Sequence, residues 1–134
     1  MITVTAVGPG ALDSVGLITW YMNLHTLTVP YPQFDGMFVY DSWLYYIPSA
    51  DSNHTGIQRT EELMVANVRI PTRERALIDY IEFIDKFDDE YLYEGLGEYN
   101  YLNSGNLANL FTVAESRKLT TKLKGWLMKC GIRY

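Results

Sequence analysis

The stretch Val68-Arg69-Ile70-Pro71-Thr72-Arg73-Glu74-Arg75-Ala76-Leu77-Ile78-Asp79-Tyr80-Ile81-Glu82-Phe83-Ile84-Asp85-Lys86-Phe87 decides how this chain is built. A short extended segment ends in a proline, and a helix with a charged start follows at once. Pro71 fixes its own φ and pushes Ile70 toward extended backbone. Thr72 offers a capping hydroxyl, and Glu74 sets a carboxylate where the helix dipole is positive. These signals predict a helix starting near Arg73. Leu77, Ile81 and Ile84 recur at helical spacing, while Arg75, Asp79, Glu82, Asp85 and Lys86 take other faces. The expectation is an amphipathic helix with one packed side and the rest wet.

Working outward toward the N-terminus, Met1 to Val7 alternates weakly, as a strand does, and Gly8-Pro9-Gly10 breaks it. Asp13 or Ser14 is placed to cap a first helix running to about His25, with Val15, Leu17, Ile18 and Met22 as its apolar contacts and Pro30 and Pro32 beyond its end. Met37 to Tyr40 and Trp43 to Ile47 are rich in aromatic and β-branched residues and flank Asp41-Ser42, which reads as a hairpin. A strand near Ile57 to Arg59 and another within Leu63 to Ile70 follow, the glutamates Glu61 and Glu62 blurring the start of the second. Beyond the central helix, Gly95 and Gly97 suggest a broken or loosely packed helix. Leu107, Leu110, Phe111 and Ala114 fit a helix behind an Asn103-Ser104 cap. Leu119, Leu123, Trp126, Leu127 and Cys130 fit a last one, stopped by Gly131. Strands first and helices after predict an α+β fold: a small mixed or antiparallel sheet with an N-terminal helix and a C-terminal group of helices.

A chain of 134 residues that is 48% hydrophobic is expected to form a single domain over 1–134, with helix and strands over 1–70 and mainly helices over 71–134. No secretory leader pattern and no apolar run long enough to span a bilayer stand in it, so the reading is cytoplasmic, without a membrane partner. Cys130 is the only cysteine and reads as a buried structural thiol.

The chemistry motifs are absent, and the expectation is a non-enzyme without cofactor or metal. His25 and His54, the only histidines, have no second ligand at metal spacing. Asp88-Asp89-Glu90 points three ways on a helix and reads as solvated. No nucleophile elbow or phosphate loop occurs, and Gly95-x-Gly97 lacks both the further glycine and the preceding strand of a dinucleotide site.

Charge is distributed more tellingly than its net value of −5 conveys. Acids dominate from Glu82 to Glu98, with only Lys86 in opposition, whereas every charge after Glu115 is basic: Arg117, Lys118, Lys122, Lys124, Lys129 and Arg133. Net acidity argues against direct nucleic-acid binding, which needs clustered cations to displace counterions. The acidic band is a candidate docking surface for a protein of opposite sign, with Asp85, Asp88, Asp89, Glu90 and Glu94 steering and the hairpin aromatics Trp43 and Tyr45 anchoring. On alternation Phe38 and Tyr40 share one face of the hairpin and Met37 and Val39 the other, so both faces carry apolar surface.

Three segments carry a family likeness. Trp20-Tyr21-Met22-Asn23-Leu24-His25-Thr26-Leu27, the aromatic hairpin, and Val68 to Asp79 together resemble the C-terminal domain of AbiEi-type abortive-infection antitoxins. That family has a Leu-His-Gly-Leu-like helix end, a few strands, a Thr-x-Glu-Arg-Ala-Leu-Leu-Asp-like junction and closing helices similar to Leu107 to Ile132. Thr26 stands where the family often has Gly, and Pro71 precedes Thr72 where members more often place a proline after it. The resemblance implies a partner that is a nucleotidyltransferase-type toxin. Members often carry an N-terminal winged helix that represses their promoter; with about a dozen residues before the first expected helix, the expectation here is the antitoxin part without that winged helix. Two other readings share the pattern. One is a phage or mobile-element inhibitor of a host nucleic-acid enzyme. The other is a small metal-dependent nuclease, which needs Asp35 or Asp41 to converge with Glu74 and a lysine.

Overall fold

A computed structural model describes residues 2–19, 25–30, 38–40, 44–49, 56–63 and 66–134. Six strands, β1 (Ile2–Val7), β2 (His25–Pro30), β3 (Phe38–Tyr40), β4 (Leu44–Ser49), β5 (Ile57–Leu63) and β6 (Ala66–Pro71), form one mixed sheet in the order β3-β4-β2-β1-β6-β5. Helix α1 (Pro9–Ser14) follows β1. Helices α2 (Arg73–Glu82), α3 (Asp89–Leu102), α4 (Ala108–Ser116) and α5 (Thr120–Lys129) follow the sheet, with a 3-10 turn at Ile84–Lys86. The fold is α+β, with strands grouped before the main helices.

Strand β1, central in the sheet, pairs in parallel with β6, and Thr5 lies beside Arg69. Ala6, Val68 and Ile70 therefore share the face that enters the core beneath the helices. Thr5, Val7 and Arg69 project to the opposite face and are buried as well. The hairpin β3–β4 forms as the aromatic pattern predicts, with Phe38 opposite Tyr46, Val39 opposite Tyr45 and Tyr40 opposite Leu44; its turn residues and Met37 lie outside the described residues. Strand β5 runs on through Glu61 and Glu62, beyond the predicted Arg59, so these glutamates belong to it and not to β6. It lies at one edge of the sheet, and exposed Arg59, Glu61 and Glu62 blunt that edge against pairing with another chain.

The first helix differs from expectation. It spans Pro9–Ser14, ending where the predicted helix begins, and His25 opens strand β2. Gly8 adopts φ +82, and a Cβ there would lie 2.8 Å from Phe87 Cε1. Only glycine fits, and Pro9 then starts the helix at the position where a missing N–H costs least. Gly16, at φ +77, ends the turn, and the Leu17 N–H donates back to the Leu12 carbonyl.

Helix α2 starts where predicted: Thr72 is extended, and its Oγ1 accepts from the Arg75 N–H at 3.3 Å. Its surroundings differ from the prediction. It packs on β1, β6, α1, α3, α4 and α5, and residues 75 to 81 are all buried. A helix covered on every side cannot keep wet faces, so Arg75 and Asp79 are inside at 3% and 2% exposure. The helix also ends at Glu82, leaving Ile84, Asp85 and Lys86 in the 3-10 turn.

Helix α3 is continuous through Gly95 and Gly97, contrary to the predicted break. Gly95 lies at the crossing of α3 over the core, where an added Cβ would meet Leu77 Cδ2 at 3.2 Å and Leu12 Cδ1 at 3.5 Å. Its small size lets two helices approach. Asn103 is the C-cap of α3, and Asn106 Oδ1 accepts from the Ala108 N–H at 3.1 Å, so the start of α4 is served by Asn106 instead of Asn103-Ser104. Helix α5 ends at Gly131, φ +70, as expected.

The two glycines of α3 should respond oppositely to alanine. Gly97 is exposed and a Cβ there meets nothing within 4 Å. Gly97→Ala is expected to stabilise by about 0.5–1 kcal/mol through helix propensity. Gly95→Ala is expected to destabilise, because Leu77 is fully buried and has no room to yield. Urea unfolding of both variants checks this; equal effects would remove the packing role given to Gly95.

Candidate protein-binding face

The charges of this chain divide into an internal set and an external set. Internally, Arg117, in the α4–α5 turn, donates to Asp79 Oδ1 at 2.8 Å and to Glu82 Oε2 at 2.7 Å, while Arg75 Nε reaches Asp79 Oδ2 at 3.3 Å. Asp79 thus sits between two guanidiniums. Burial pushes its carboxyl above the ordinary value of 3.8, and Arg117 and then Arg75 pull against that rise. Arg117 belongs to this cluster and not to the solvated basic face that its place in the sequence suggests. Glu74 Oε2 accepts from the Tyr99 hydroxyl at 2.7 Å, and Arg73 Nε donates to the Val15 carbonyl at 2.9 Å. The junction residues Arg73, Glu74 and Arg75 therefore each tie α2 to a different neighbour or to its own interior. Asp35 and Asp41, the other acids of the nuclease reading, lie outside the described residues.

Externally, Asp85, Asp88, Asp89, Glu90 and Glu94 are all exposed, from the 3-10 turn through the first turns of α3. Asp88 is more than solvated: its Oδ1 caps α3 by accepting from the Glu90 N–H at 2.9 Å, and its carbonyl accepts from the Tyr80 hydroxyl. Asp89 and Glu90 occupy the positive first turn of α3. Asp85 has Lys86 at 4.0 Å, a contact too long and wet to neutralise it. Glu94 and Glu98 form one wall of an open cleft of about 310 Å³, whose other wall is Gly16 to Thr19. Among the described residues no three His, Cys, Asp or Glu side chains are grouped to hold a metal ion, and no helix is long and apolar enough to cross a membrane.

Of the predicted anchors, Trp43 lies outside the described residues and Tyr45 lies on β4, opposite Val39. Aromatic groups that the sequence pattern did not place at the surface lie on α3 and α5. Tyr93 meets Trp126 edge-on at 5.7 Å between ring centroids, Lys129 Nζ lies 4.3 Å from the Trp126 ring, and Tyr101 is 79% exposed. For Tyr101 the signal was helical position: residues 90, 94, 97 and 101 fall on one side of α3 once its glycines are accepted inside it. Cys130, the C-cap of α5, is half-buried instead of fully buried, and burial raises its thiol above the ordinary 9.0, which disfavours the nucleophilic thiolate.

No protein-family model matches the chain, and no curated protein matches it at a significant level.

Two outcomes follow from the internal set. Asp79→Ala is expected to lose about 3 kcal/mol, because the buried Arg75 and the partly buried Arg117 lose their shared counter-charge. Glu82→Ala, at a site whose side chain is 33% exposed, should lose about 1 kcal/mol or less. Chemical denaturation distinguishes them. The phenols of Tyr80 and Tyr99 are raised above the ordinary value of 10.0, in both cases mainly by burial, and for Tyr99 next by its bond to Glu74. Raised folded values mean that this stability is complete below pH 10 and is lost as pH climbs above it, where only the unfolded chain ionises. Phenolate absorbance from these two residues should therefore appear together with loss of the helical dichroism, and Tyr99→Phe should make the alkaline decline shallower.

Proposed function

We propose that this chain is a non-enzymatic protein-binding module, antitoxin-like, whose acidic face from Asp85 to Glu94 engages a basic partner of the nucleotidyltransferase-toxin class. The observation that carries the reading is the division of the acids. Asp79 and Glu82 are held in ion pairs and Glu74 in a hydrogen bond, whereas Asp85, Asp88, Asp89, Glu90 and Glu94 stand exposed within one short segment, from the 3-10 turn into the first turns of α3. Such a row raises the encounter rate with a positively charged protein and disfavours anionic ones. A protein that handles nucleic acid or nucleotides carries positive potential where its substrate binds, which is the complement of this row. The resemblance of residues 72–79 to the antitoxin junction supplies the partner class.

Asp85→Lys, Glu90→Lys and Glu94→Lys combined test the reading without touching the Asp88 cap. Co-purification with a nucleotidyltransferase-type protein at low salt, its release as salt rises, and its loss in the triple variant with unchanged dichroism are the expected results. Undiminished binding and toxin neutralisation by the variant would overturn the role of the acidic face.

A further inference from the structure

Strand β5 ends the sheet: it pairs with β6 on one side, and among the described residues no strand lies on its other side. The main contacts of the helices with the sheet fall on β1, β2 and β6. Gln58, Arg59, Thr60, Glu61 and Glu62 are accordingly all exposed, so solvent reaches both faces of β5 as well as its edge. Alternate backbone N–H and C=O groups of such a strand point away from the sheet and are open to a further strand. The ladder to β6 runs without a shift from Arg59 to Leu63, so Arg59 and Glu61 share one face and Thr60 and Glu62 the other. Arg59 Nε and Glu61 Oε1 lie 2.8 Å apart along the strand, on side chains that are 46% and 55% exposed.

The order of these residues is self-complementary. Laid antiparallel on itself about Thr60, the segment Gln58-Arg59-Thr60-Glu61-Glu62 sets Arg59 opposite Glu61 twice, Thr60 opposite Thr60, and Glu62 opposite the uncharged Gln58. The neighbouring registers are excluded. Outward-pointing backbone must meet outward-pointing backbone, so one strand slides past the other in steps of two residues, and the first step either way sets Arg59 against Arg59 or Glu61 against Glu61. We infer that β5 pairs antiparallel with β5 of a second copy about a two-fold axis beside Thr60, joining two six-stranded sheets into one. At the axis Arg59 and Glu61 of the two copies form a square of alternating charge, each guanidinium having its own carboxylate along the strand and the other copy's across it. The charges that blunt this edge against other strands therefore suit its own. Seven residues at about 3.4 Å each give a seam only about 24 Å long and one strand deep, so the pair is weak and depends on concentration.

The inference uses none of the α3 acids and does not rest on the proposed partner; it is tested on the purified chain alone by sedimentation equilibrium. The wild type is expected to show a monomer–dimer equilibrium, and amide exchange within Ile57–Leu63 should slow as concentration rises. Arg59→Glu and Glu61→Arg are each expected to weaken the pair by roughly tenfold or more, because two opposite-charge pairs become like-charge pairs. Mixed in equal amounts, these two variants should form a heterodimer, since each then supplies the charge the other lacks at both contacts. The exchanged variant Arg59→Glu/Glu61→Arg is expected to dimerise as the wild type does, and it carries the test if either single variant loses its dichroism. A wild type that stays monomeric at millimolar concentration, a dimer whose β5 amides exchange as fast as the monomer's, or folded single variants that dimerise alone as tightly as the wild type would overturn it.

Discussion

The contact between Asp79 and Arg117 holds the helical half of this protein in register. Asp79 is on α2, which packs against the other four helices and strands β1 and β6, and Arg117 comes from the turn between the last two helices, 2.8 Å away. Arg75 completes the charge inside α2, and Glu82 takes the outer edge of the Arg117 guanidinium. Such a cluster contributes little to net stability, since burying the charges costs about what their attraction returns. Its effect is on specificity. Any packing of α4 and α5 on α2 that misplaces Arg117 leaves a carboxylate and a guanidinium stranded in the core.

Once α2 is central, the roles of the other elements follow. The sheet supplies Val68 and Ile70 to one side of it, α1 closes the end near Leu12, and Gly95 lets α3 settle onto Leu77. The Tyr99 hydroxyl reaches back to Glu74 and the Tyr80 hydroxyl to the start of α3, so both large buried phenols place their polar ends on helix termini. Among the parts left outside are the far sides of α3 and of α5. These faces carry the acids of α3, the lysines of α5 and uncovered aromatics.

Local signals in the sequence were legible where one residue's chemistry decides the backbone. Pro71 and Thr72 mark the strand-to-helix junction, Gly131 marks the end of α5, and alternating aromatics mark the β3–β4 hairpin. The same logic was available at Gly8-Pro9, where proline at the first helical position starts a helix, but the pair also reads as a breaker, and the clash that demands glycine comes from Phe87, far along the chain. Gly95 reads as a weak point in isolation because its packing partners, Leu77 and Leu12, belong to other helices.

The sequence by itself determined the α+β class, the order of strands before helices and the segregation of acids from bases, because these depend on composition, periodicity and short-range sterics. Tertiary structure alone decided which charges are internal. Arg75 and Asp79 look like an ordinary surface pair four residues apart, and no local rule separates them from Asp85 or Glu94. The difference is Arg117, thirty-five positions beyond Glu82, which arrives only when α4 and α5 close over α2. Burial of a charge depends on the partner that folding delivers to it, and that partner is a property of the packed molecule.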